Sequence, residues 1–134
     1  MIQETLEEIK IRKELASYYF SNFEKHRLQD PAKASEFLWG TLNALVYAIG
    51  LLHGKKIAEH SKVIGILKEL RMDEESISAA QMVHANFFHD FMDKETFELQ
   101  TKKVVTMLRK LEEILEKELK RQIKSIKHER QVCQ

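Results

Sequence analysis

FLWGTLNALVYAIGLL, residues 37–52, is an apolar stretch broken by Thr41 and Asn43. Wound at 3.6 residues per turn, Phe37, Leu38, Trp39, Leu42, Leu45, Val46, Tyr47, Ile49, Leu51 and Leu52 fall on every side of a helix. A helix without a polar face belongs at the centre of a bundle. Gly40 and Gly50 each cost about 1 kcal/mol of helix propensity against alanine, which points to close approach by a neighbouring helix. Upstream, Asp30-Pro31 supplies an N-cap followed by proline at the first helical position, and Gly54 supplies a stop. The helix is therefore predicted from Pro31 to about His53.

Working outward, the residues on both sides carry helical spacing as well. Leu6, Ile9, Ala16, Phe20 and Phe23 mark a first helix over about residues 4–28. Beyond a linker from Gly54 to Glu59, Val63, Ile64, Leu67 and Leu70 mark a third helix near Ser61–Arg71. Asp73 is placed to cap a fourth, running to about Met92, and Asp93 to cap a fifth from about Lys94 to His128. In the fifth, Phe97, Thr101, Val104, Leu108, Leu111 and Leu115 alternate spacings of four and three, and Ile123 and Ile126 continue the stripe after a register shift. That pattern lies along another helix. The expectation is an all-α, up-and-down bundle of about five helices, one domain over residues 1–134.

Composition agrees. Four glycines and one proline in 134 residues leave little punctuation for sheets and hairpins, and the length suffices for a core without disulfides or metals. The single cysteine, Cys133, excludes an internal disulfide framework and suits a reducing compartment. The apolar run is shorter than the roughly 20 residues that span a bilayer, and MIQETLEEIK lacks the apolar segment of a signal peptide. No membrane role and a cytoplasmic location are expected. With 22 basic and 21 acidic side chains, nothing in the overall charge pulls toward DNA.

The chemistry concentrates in AAQMVHANFFHDF, residues 79–91. Ile77, Ala80, His84, Phe87, Phe88 and Phe91 share a broad apolar helical face, and Met82, Asn86, His89 and Asp93 form a second stripe. His89 beside Asp93 is a candidate general acid or base, since histidine titrates near neutrality; the competing reading is a solvated helix end with His84 in the core. Five residues separate His84 from His89, about 140° around a helix, which is poor geometry for one metal. No metal and no cofactor are expected. A second candidate patch is the C-terminal run of Lys117, Lys120, Arg121, Lys124, Lys127 and Arg130, net +4 against −3 for the rest of the chain. Basic clusters attract phosphates, although cations at a helix C-terminus also complement its dipole.

Two stretches together carry a resemblance. ASEFLWGT (Ala34–Thr41), followed by the apolar helix and His60, and HANFFHDF (His84–Phe91) resemble the hallmarks of the PaREP-type helical family of archaea. That family looks like a branch of the HEPN superfamily, whose members are helical bundles, usually dimeric, many of them metal-independent ribonucleases or partners of nucleotidyltransferases. The resemblance implies a homodimer, with RNA or a nucleotidyltransferase as partner. It makes His89 the motif histidine, with Asn86 beside it. The motif also asks for an arginine four to six residues upstream, and the position five before His89 is His84.

Three functional readings follow. The first is a non-catalytic, homodimeric binding or interaction module, with Lys120, Arg121, Lys124 and Trp39 as candidate RNA or ligand contacts. The second is an endoribonuclease using His89, supported by Asn86 and His84. The third is a small-ligand pocket between the second and fourth helices, lined by Trp39, Tyr47 and Phe87.

Overall fold

The computed structural model describes residues 3–57 and 59–133 and consists of five helices: α1 (Gln3–His26), α2 (Pro31–Leu52), α3 (His60–Glu69), α4 (Glu74–His89) and α5 (Lys94–Cys133). The side chains of His60 and Cys133 lie outside the described residues. All three predicted aspartate caps are in place. Asp30, Asp73 and Asp93 accept hydrogen bonds from the backbone N–H of Lys33 (3.2 Å), Ser76 (2.9 Å) and Thr96 (2.7 Å). Each satisfies a donor that the first turn would otherwise leave unpaired. The same bonds hold the Asp73 and Asp93 carboxyls below their ordinary value, because the N–H groups favour the charged form.

Helix α2 is the inner helix, packing against each of the other four and most extensively against α1. Cross-contacts fix the directions. Arg27 pairs with Glu98 and Lys13 with Glu116, so α1 and α5 run antiparallel. Ser35, near the start of α2, meets Asn86, near the end of α4. Gln122 of α5 donates to the carbonyl of Leu52, which sets α5 parallel to α2. The up-and-down arrangement is thus formed by α1, α2, α4 and α5, with α3 as a short crossover. The stripe read from α5 is buried from Phe97 to Leu115, with Phe97, Thr101, Val104, Leu108, Leu111 and Leu115 all facing the core, while Ile123 and Ile126 are half-buried.

Two boundaries differ from expectation. Helix α4 stops at His89, not Met92, because Asp90 takes a left-handed conformation (φ 44°). Helix α2 has 22 residues, and with its most apolar 18-residue window it is long and apolar enough by length and composition to cross a membrane, contrary to the reading from the shorter run. Two-thirds of that window is buried inside the bundle. An inner helix surrounded by four others needs the same composition.

At the far end of the bundle, Glu118 accepts from Arg121 and from Gln122 (3.1 Å), and these bonds pull its carboxyl from 4.5 down to about 2. A carboxylate with a depressed folded-state pKa stabilises the fold fully above its unfolded value and loses that contribution as pH falls through the folded one. Wild type is therefore expected to lose stability between about pH 4.5 and 2, and Glu118→Gln to lose less over that window. Thermal melts at stepped pH would check this, and parallel curves for the two proteins would contradict it.

Candidate functional site

Along α2 the burial is uneven. Phe37, Gly40, Asn43 and Tyr47 are only half-buried, while their neighbours on the helix are mostly sealed. Gly40, Asn43 and Tyr47 fall at i, i+3 and i+7, so they form one ridge. Arg12, Leu15 and Tyr19 form a ridge of the same spacing on α1. Between the two lies a cleft of about 480 Å³, within the roughly 300–1,000 Å³ of small-molecule sites. Trp39 and His84 line it from the inner side, and Ile57 and Val63 line it from the segments following α2.

Its walls approach closely where glycine permits. A Cβ at Gly40 would stand 3.1 Å from the Tyr19 ring. One at Gly50 would stand 2.4 Å from Cδ1 of Ile57 and 3.1 Å from the Lys55 carbonyl. The close approach of a neighbouring helix expected at both glycines is present at Gly40, where Tyr19 belongs to α1. Gly50, which does not line the cleft, is approached instead by Lys55 and Ile57 of the segment that follows its own helix.

The cleft is aromatic and carries one arginine. The His84 and Trp39 rings stack at 4.4 Å, with 21° between their planes, and Phe88 meets His84 edge-on at 5.3 Å. The Arg12 guanidinium carbon lies 3.9 Å from the centre of the Tyr47 ring, a cation–π contact. The Tyr47 hydroxyl donates to Glu8 at 3.2 Å. Two buried polar atoms on facing walls, Nε of Arg12 and Oδ1 of Asn43, have no hydrogen-bond partner among the described residues. Such atoms typically cost about 1–3 kcal/mol each and are uncommon in native proteins. Thr41, the other polar residue of the apolar stretch, shows the usual solution, donating to the Phe37 carbonyl at 2.9 Å.

The cluster read from residues 79–91 comes apart. Asn86 is wholly buried, not part of a solvated helix end. Its Nδ2 donates to Ser35 Oγ (3.1 Å), and its Oδ1 accepts from the backbone N–H of Phe91 and of Met92 (2.9 Å each). Those bonds hold the turn that ends α4 against the start of α2. Asp93 does not follow His89 on one helix; it lies past the left-handed turn and caps α5. His89 is exposed and forms no hydrogen bond, ion pair or ring contact among the described residues. Phe88 and Phe91 are 65% and 53% exposed, so the apolar face is narrower than its spacing suggested.

In the C-terminal patch, Lys120, Arg121 and Lys124 are exposed, and Arg121 is paired with Glu118. Trp39 stands apart from them, buried beside the cleft. Among the described residues no three histidine, cysteine, aspartate or glutamate side chains converge as a metal site.

The pocket read between the second and fourth helices has its main wall elsewhere. Trp39 and Tyr47 line the cleft, but the opposing ridge comes from α1 and Phe87 is not part of it. Arg12, Asn43 and Tyr19 were not singled out from the sequence. The matched i, i+3, i+7 ridges on consecutive helices were the available signal. Comparison with protein-family models, with curated proteins and with solved structures gives no match to this chain.

Proposed function

We propose that this protein is a non-catalytic binding module whose ligand is a small molecule held in the cleft between α1 and α2. The observation that carries the reading is the pair of unpartnered buried atoms, Arg12 Nε and Asn43 Oδ1, on opposite walls of one aromatic cavity. A fold leaves such groups unsatisfied at a cost, and strained or unsatisfied positions concentrate where function needs them. The HEPN-like assignment and the homodimer it implies belong to the same proposal. Exposed Phe88, in edge contact with His84, supplies apolar surface beside the cleft. The ribonuclease reading draws no support from an exposed His89 without a partner and an Asn86 already committed to the backbone.

Native mass spectrometry of the purified protein tests the proposal. Wild type is expected to carry or capture a molecule of a few hundred daltons, a size suited to a cavity of this class. Ala44→Phe and Val63→Phe, each placing a ring in the cleft, are expected to abolish capture while still melting cooperatively. A wild type that neither carries a ligand nor captures one from a metabolite-sized library would overturn it.

A further inference from the structure

Resting on the cleft as a ligand site, we infer that its ligand is an acid, a planar ring bearing one carboxylate or phosphate group and an N–H or O–H donor. Arg12 stands in the cleft wall without a counterion. Among the described residues no carboxylate lines the cavity and Arg12 forms no ion pair. The nearest candidate by sequence, Glu8, lies one helical turn earlier and accepts from Tyr47 instead. A guanidinium is a rigid, always charged fork suited to carboxylate and phosphate oxygens. Lying against the Tyr47 ring fixes its plane, which reduces the ordering cost on binding.

Asn43 supplies the second element. Asn43 lines the cleft, and its Oδ1, buried in that wall with no partner among the described residues, is an unused acceptor that calls for a donor on the ligand. The third element is the wall itself. Tyr19, Tyr47, Trp39 and His84 present ring surface, and rings pack on rings in offset or edge-on geometries. Anion, donor and ring are the three features that these side chains complement at once.

Calorimetric titration of the full chain with two acids and their neutral counterparts tests the inference. The pairs are indole-3-acetate with indole-3-acetamide, and adenosine monophosphate with adenosine. Whichever acid binds is expected to do so at least tenfold more tightly than its counterpart, and the stronger pair tells carboxylate from phosphate. Arg12→Met is expected to lose that preference, and Asn43→Leu to weaken binding severalfold. Both variants are expected to melt at or above the wild-type temperature, because each removes an unsatisfied buried atom. An Arg12 with a purely structural role would instead lower the melting temperature when replaced. Neutral probes binding as tightly as the acids, or Arg12→Met binding acids like wild type, would overturn the acid while leaving the cleft a ligand site. Binding of none of the four would overturn the acid as well, and the mass-spectrometric capture would then decide the cleft separately.

Discussion

Asn86→Ala is expected to destabilise the fold by about 3 kcal/mol, because buried donors left unpaired cost roughly 1–3 kcal/mol each. The side chain is fully buried and makes three hydrogen bonds. Truncation removes the bond to Ser35 and strands the N–H groups of Phe91 and Met92, the latter in a buried setting. It also releases the left-handed turn at Asp90, which otherwise relies on its own N–H bond to the Asn86 carbonyl. Set against a typical total of about 5–15 kcal/mol, the loss is large. His89→Ala, three residues away and exposed, is expected to change stability by less than about 0.5 kcal/mol. Urea unfolding of both variants separates the two roles. Equal, small effects would mean that Asn86 does not hold the helix end.

Leu42→Ala is expected to cost about 2–5 kcal/mol, the range for a large aliphatic side chain removed from a core that cannot collapse around the gap. Leu42 has no solvent exposure and sits in the middle of α2, the helix that touches all the others. The same change at Leu99, which is 54% exposed on α5, is expected to cost under about 1 kcal/mol. Thermal melts would show a fall on the order of 10 °C for the first and little for the second, following the usual link between stability and midpoint. A Leu42→Ala melt within a few degrees of wild type would contradict the central placement of α2.

Much of this fold was legible because it rests on local chemistry. Asp30, Asp73 and Asp93 cap helices through their own neighbours, and the α5 stripe from Phe97 to Leu115 follows from helical periodicity alone. The end of α4 was not legible, because it depends on Asn86 reaching six residues ahead to Met92 and across to Ser35. Periodicity continued past His89 and carried Asp93 with it, whereas the backbone turned at Asp90. The cleft was hidden for a related reason. Arg12 sits in a run with Lys10 and Lys13, where a cation reads as part of a solvated face, and Asn43 reads as an interruption in an apolar helix. Only the pairing of α1 with α2 brings the two ridges together.

The most direct test of the central claim is a nuclear magnetic resonance titration of the wild-type chain with a library of small aromatic acids and neutral analogues. Binding is predicted to move the Trp39 indole N–H, the Asn43 side-chain amide and the Gly40 backbone amide together, leaving His89 and the Lys120–Lys124 segment unmoved. Shifts confined to His89 or to the C-terminal basic segment, or no shifts from any member, would contradict the assignment of the cleft as the binding site.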